Sequence, residues 1–414
     1  MPVVLSWLRL DLRRRWRSLV VLGLLIALSA GVVLASMAGA RRGATALERL
    51  LAPTLPATAV VLPNQPGFNW DAVRAMPGVA AVATFPVSGF DIDGIPREAA
   101  ASTFPFDRNA MDTVERPVVL AGRLPDPNRV DEAVISPRFV DSYGKGVGDT
   151  VTLRLFRAED DQAFASGNAA PPADGPSVPV TIVGVVRSFW FGDAPGYAGG
   201  LIPSAALFSQ YRANLIGAHE ILPINAMVRL DGGPAALPDF RTKLAALTGR
   251  SDIEMFDQGA NATKIQKTIN FESACLLAFG LAALLAAIVL VGQALARYVG
   301  AAIVDLQVLR ALGMARGQAV VAACAGPALA AAVGMGVGTA GAILASRWLP
   351  FGNAQLLEPA PGVSIDLLVL VGGGLVLLLV LLAGSAAAGW LALGRQDKGV
   401  GRRSAVAAAA VRAG

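Results

Sequence analysis

Four stretches of the chain, residues 19–38, 274–291, 319–345 and 367–394, contain no Asp, Glu, Lys, Arg or His. They run to 20, 18, 27 and 28 residues. The hydrocarbon core of a bilayer takes about 20 apolar residues in helical form. In lipid an isolated segment satisfies its own backbone groups only as a helix, so each stretch predicts a membrane-spanning helix. The first two are separated by a long segment of ordinary polarity rich in turn residues, whereas the later gaps are short. The predicted layout is one helix, a large domain, then three clustered helices.

Only 16% of the 414 residues are charged, against about a quarter in average soluble domains. Lys and Arg in short flanks set orientation. The N-terminal flank holds Arg9, Arg13, Arg14, Arg15 and Arg17, the loop after the second helix Arg297, Arg310 and Arg316, and the tail Arg395, Lys398, Arg402, Arg403 and Arg412; loop 346–364 holds only Arg347. Both termini are therefore expected in the cytoplasm, with the large domain on the opposite side. That domain carries 21 basic and 24 acidic residues, so the net charge of +5 resides in the flanks and a nucleic-acid partner loses its support.

The fold class that follows is a membrane protein of four transmembrane α-helices, with a large α+β extracytoplasmic domain inserted between helices 1 and 2. The expected segments are a cytoplasmic flank (1–18), helix 1 (19–38), the extracytoplasmic domain with helical ends (39–270) and helix 2 (271–296). They continue as a cytoplasmic loop with an amphipathic helix (297–317), helix 3 (318–345), a short extracytoplasmic loop (346–364), helix 4 (365–394) and a cytoplasmic tail (395–414). Ala38-Gly39-Ala40 also fits a signal-peptide cleavage site. Retention as a membrane helix is favoured because the apolar stretch exceeds the usual ~7–15 residues and a helical pattern continues through Ala46, Leu47, Leu50 and Leu51.

Ionisable groups at membrane depth mark ion and proton pathways, and their absence from the four stretches argues against a secondary carrier or a charge-lined channel. Helix 3 is instead rich in glycine, and Gly334 and Gly338 form a small-xxx-small step that allows close helix packing. Gly326-Pro327 is a candidate hinge. Cys275 and Cys324 fall within membrane helices and are read as small buried apolar residues. His219, the single histidine, reads as a surface or packing residue.

In the loop 297–317, Val299, Ala302, Ile303, Leu306, Leu309 and Leu312 recur at three- and four-residue steps, with Asp305 and Arg310 on the polar side and Gly313 in a C-cap position. Such a helix either lies on the inner leaflet or docks into the groove of a soluble partner; periodicity leaves the two equal. The stretch DLQVLRALGMARGQ (305–318) resembles the signature that follows the second membrane helix in FtsX-like ABC permeases, the class that includes MacB-like exporters. GRLPDPNRVDEAVIS (122–136), GVGDTVTL (146–153) and VTIVGVV (180–186) resemble the domain pattern of that family, and the topology is similar too.

The resemblance implies the permease subunit of a bacterial inner-membrane ABC transporter, coupling ATP hydrolysis to movement of its domain and exporting or extracting a lipidic or peptide substrate. It implies a separate cytoplasmic ATPase carrying ATP and Mg, with Asp305, Leu306, Leu309, Arg310, Leu312 and Gly313 as coupling residues. It also implies a homodimer or a second FtsX-like unit, and the composition suits one half of a tandem permease. The alternative is an FtsX-like regulator that activates an extracellular cell-wall hydrolase and transports nothing; a third reading is a membrane-anchored binding domain without any ATPase. The chain lacks GxxxxGK[ST], GxSxG, HExxH and a paired-Cys pattern, so it is expected to be non-catalytic and to bind no cofactor itself.

Within the domain, 150–156, 178–186 and 225–230 read as strands. Residues 239–247 read as a helix with Phe240, Leu244 and Leu247 on one face, and 157–177 as a loop without a core-forming pattern. Phe189, Trp190, Phe191 and Tyr197 gather around glycine and proline. They form either an exposed surface for a ligand or partner or a cap on the domain core.

Overall fold

The computed structural model describes residues 2–97, 104–166, 171–193 and 196–391. Contacts divide the chain into two compact units. The helical unit comprises Met1–Arg42, Glu272–Pro350 and the described part of Gly362–Gly414; the α+β unit comprises Gly43–Phe271 and Phe351–Pro361. The tail 395–414 and the expected end of helix 4 at 392–394 lie outside the described residues.

Among the described residues four helices are long and apolar enough to cross a membrane: Trp7–Thr54, Gln258–Ala311, Arg316–Trp348 and Leu368–Leu391. The first is helical from Pro2 and departs from helical geometry at Arg15 (φ −121°, ψ 21°). The second is one uninterrupted helix of 54 residues, about 80 Å at 1.5 Å per residue. The helical end expected for the domain, the apolar span and the amphipathic segment thus form a single rod as far as Ala311. Polar residues such as Lys264, Lys267 and Glu272 have good intrinsic helix propensity, so nothing at either boundary stops the helix. The third helix runs through Pro327 without a break, which removes the candidate hinge. The fourth opens with a π-helical turn, Leu368–Gly373, at a run of three glycines.

In the helical unit the first and third helices approach through glycine. A Cβ on Gly334 would sit 2.6 Å from the Gly23 carbonyl oxygen, and one on Gly338 would sit 2.6 Å from that of Ala27 and 3.0 Å from the Gly31 amide nitrogen. The predicted step at Gly334 and Gly338 thus faces a second one, Gly23-Ala27-Gly31, on the first helix. Cys324 is half-buried and donates to the Ser385 carbonyl at 3.3 Å. Cys275 is exposed rather than buried, because its face of the second helix meets no neighbour within the chain.

Among its described residues the α+β unit has ten strands: β1 Ala59–Leu62, β2 Val79–Pro86, β3 Asp91–Ile92, β4 Val118–Gly122, β5 Glu132–Ile135, β6 Thr150–Arg154, β7 Ser177–Arg187, β8 Leu201–Pro203, β9 Ile224–Leu230 and β10 Glu254–Asp257. One sheet is antiparallel in the order β10-β1-β9-β2; the other has the order β3-β6-β7-β5-β8, with β4 paired to β7 and β5 parallel to β7. Alternation along strands gives each sheet two apolar faces. Val60 and Met227 from the first sheet meet Val134, Val186 and Ile202 from the second around Phe106 and Phe191. The far face of the first sheet is closed by Trp70–Arg74 and Leu237–Thr248, whose Phe240 and Leu244 are buried. Leu247, expected on the same face, is 47% exposed and lies outside that cluster. The predicted loop after β6 contains a 3₁₀ turn at Ala158–Asp160 and a short helix, Asp161–Ala165.

The loop between the third and fourth helices is more than a connector. Its Phe351–Pro361 portion belongs to the α+β unit, where Ala354 and Leu357 pack with Ala46, Leu47, Leu50 and Ile269.

Candidate functional site

The segment singled out by its amphipathic pattern is the end of the second helix. It stops with a Schellman cap: the Met314 amide donates to the Leu309 carbonyl and the Gly313 amide to that of Arg310, with Gly313 at φ +104°. The third helix restarts at Arg316, and the Gln318 side chain accepts from the Ala315 amide at 3.3 Å.

The apolar face of this segment is occupied within the chain. Val299, Ala302, Ile303 and Leu306 are fully buried in a cluster with Leu19 and Leu22 of the first helix and Val320, Ala322 and Ala323 of the third. Leu306 is thus corrected from a docking residue to a core residue, and Leu309 is half-buried. Periodicity finds a face but not what covers it. The face left open is the adjoining one, where Val304 is 54%, Val308 69% and Leu312 80% exposed, at four-residue steps on one side of the helix.

Asp305 is also engaged. Its Oδ2 accepts from Arg15 Nη2 at 2.5 Å, and Arg14 Nη1 lies 3.9 Å away. Arg15 additionally reaches the Ala301 carbonyl at 3.4 Å and approaches Asp11 at 3.8 Å. Asp11 is buried and accepts from the Tyr298 hydroxyl at 2.5 Å. A Cβ on Gly326 would meet Asp11 Oδ2 at 2.8 Å and the Tyr298 hydroxyl at 3.1 Å, so the third helix crosses this network on a glycine. The non-helical residue of the first helix, Arg15, is therefore the one that clamps the end of the second.

In the α+β unit the aromatic segment divides. Phe191 is fully buried and meets Phe106 edge-on at 5.2 Å; Trp190 packs 6.3 Å from Phe85, and Phe189 packs against the cluster formed by Leu47, Leu50 and Leu357. These three cap the core, the second of the two expectations for this segment, and of the four aromatics only Tyr197, at 67% exposure, stays open. Apolar side chains beside a sheet edge more readily complete a core than face water.

Two buried acids had no local sequence signal. Glu115 accepts from the Ala57 amide at 2.9 Å and the Trp190 amide at 3.2 Å. Burial pushes its carboxyl up to about 7 against the smaller opposing effect of these hydrogen bonds. Glu358, 2% exposed, receives both terminal nitrogens of Arg49 at 2.8 Å. Arg187 donates to its carbonyl oxygen and to that of Gln355, and burial lowers the Arg187 pKa.

The family-like motifs have structural work in this unit. Gly122 (φ +72°) and Gly184 pass so closely that a Cβ on either would fall 2.2 Å from backbone oxygen. Glu132, held below the usual carboxylate range first by its hydrogen bond from Arg123, also accepts from the Asp126 amide and closes the loop before β5. Gly148 (φ +97°) forms the turn into β6. His219 Nδ1 sits 3.0 Å from the buried Asp161. Among the described residues no three His, Cys, Asp or Glu side chains converge as a metal site would require.

No protein-family model matches the chain, and no curated protein does. Among solved structures it is similar to the crystal structure of the periplasmic region of MacB from Actinobacillus actinomycetemcomitans, at 14% identity and a TM-score of 0.30, over 53% of this chain and 97% of that one.

Proposed function

We propose that this chain is the membrane subunit of an FtsX-like ABC transporter, worked by a separate cytoplasmic ATPase that holds ATP and Mg, and acting as a dimer or beside a second similar unit. The observation that carries this reading is the second helix: one unbroken rod from the end of β10 to a capped terminus that bears the exposed stripe Val304, Val308 and Leu312. A rod moves as a body, since bending it requires a kink at Pro, a π-bulge or an inserted group. A partner gripping the stripe would displace the chain where it enters the α+β unit. Within the same unit Glu358, from the loop between the third and fourth helices, pairs with Arg49. In this reading the chain performs no chemistry, and its lipidic or peptide cargo is handled by the α+β unit rather than through four helices that lack a polar path.

Affinity recovery from membranes tests it. Wild-type chain should bring down a Walker-type ATPase, and Val308→Asp with Leu312→Asp should lose it while the protein stays folded. Recovery of no ATPase by the wild type, or equal recovery by both, would refute the assignment.

A further inference from the structure

Beside the Arg15 clamp an open groove of about 650 Å³ runs between the first and second helices. It is lined by the polar Arg17, Ser18 and Arg297, by the apolar Val21, Leu25 and Ala294, and by Arg15 and Tyr298; Arg15 is already engaged by Asp305. The other two arginines are exposed and, among the described residues, make no ion pair; Arg17 lies only 5.6 Å from the Trp16 ring centroid. Two arginines without an ion-pair partner among the described residues thus line one groove together with aliphatic side chains. Guanidinium forks match phosphate oxygens. A free anion has no use for the aliphatic side chains, and an uncharged lipid has none for the arginines. Arg17, Val21 and Leu25 follow at four-residue steps on one helix face, spanning about 12 Å along the axis, enough to carry part of an acyl chain inward from its headgroup.

We propose that this groove binds an anionic phospholipid, its phosphate held by Arg17 and Arg297 and one acyl chain laid along Val21 and Leu25. Such a lipid would fill the groove beside the Arg15–Asp305 pair. The proposal rests on the membrane reading of the helices but not on the ATPase.

The test uses the full chain reconstituted in phosphatidylcholine vesicles with a trace of spin-labelled phosphatidylglycerol or, separately, spin-labelled phosphatidylcholine. The motionally restricted fraction should favour phosphatidylglycerol by about tenfold, from roughly 1 kcal/mol per basic residue at the surface with some loss to screening. Arg17→Gln with Arg297→Gln should abolish the preference. Val21→Trp, which keeps every charge and fills the groove, should weaken it. Arg9→Gln with Arg13→Gln, on the same flank but outside the groove, should leave it intact, and excess inorganic phosphate should not compete. Equal restriction of the two lipids, an equal loss in the Arg9/Arg13 variant, or competition by phosphate would overturn the proposal. Equal restriction of the two lipids by the wild type with ATPase recovery intact would overturn this proposal alone, and a chain that never enters the vesicles would overturn both readings.

Discussion

Arg15 Nη2 lies 2.5 Å from Asp305 Oδ2, joining the point where the first helix leaves helical geometry to the last turns of the second. The pair is half-buried, so solvent screening limits its net worth, but it fixes which face of the second helix turns inward. Its register is the reason that Val304, Val308 and Leu312 stay outside. Asp305→Asn should lower stability by about 1 kcal/mol, with a double-mutant cycle against Arg15→Gln recovering most of that loss as coupling. Thermal unfolding in detergent measures it, and additive single effects would show that the pair does not hold the helices together.

The glycine seam gives a sharper outcome. Gly338→Ala places a methyl 2.6 Å from a backbone oxygen of the first helix, and neither backbone can yield without separating the helices. Overpacking of this kind costs about 1–3 kcal/mol. Gly336 and Gly341 meet nothing within 4 Å, so Gly336→Ala or Gly341→Ala should be neutral or slightly stabilising by helix propensity. Melting temperatures of the three variants in one detergent decide the matter: similar losses in all three would mean that glycine serves flexibility, not contact.

What could be read from the sequence follows from how local each signal is. The four apolar stretches, the strands around Val151 and Val180 and the cap at Gly313 are written in consecutive residues and stand as expected in the structure. Gly334 and Gly338 were legible because spacing alone defines a close-packing face, yet Gly23, Ala27 and Gly31 carry the same spacing and were hidden among Leu and Val. The apolar side of 299–309 was also legible, but a periodic face is silent on whether a partner or the chain itself covers it. Glu115, and Glu358 with Arg49 and Arg187, escaped notice because their partners lie 58 to 309 residues away and no short pattern marks them.

Glu115 makes stability depend on pH with a known sign. Its folded pKa, about 7, stands above the ordinary carboxylate value, so between about pH 4.5 and 7 the folded state binds a proton that the unfolded state releases. Stability therefore falls as pH rises through that window, by about 3 kcal/mol in all, and levels off above it. Glu115→Gln should remove this slope while the other carboxylates keep theirs. The difference between wild-type and variant denaturation midpoints across pH 4–8 isolates it, and parallel curves would contradict the assignment.

Glu358 offers the most direct probe of how the segment Phe351–Pro361 is held within the α+β unit. Its carboxylate is 3% exposed and satisfies a bidentate Arg49 whose own side chain is 37% exposed. Removing one partner of a buried pair costs about 3–5 kcal/mol, reduced here because Arg49 can turn to water; Glu358→Ala should therefore cost about 1–3 kcal/mol. Arg187 keeps its backbone acceptors at Gln355 and residue 358, so the fold survives. The segment Phe351–Pro361 would then lose its side-chain ion pair and keep the Arg187 contacts and the packing of Ala354 and Leu357, and limited proteolysis should cut it severalfold faster than in wild type. Glu358→Gln, which keeps one acceptor oxygen for Arg49, should fall between the two. Unchanged cleavage in Glu358→Ala would mean that apolar packing alone secures the loop and that the ion pair is incidental to the linkage.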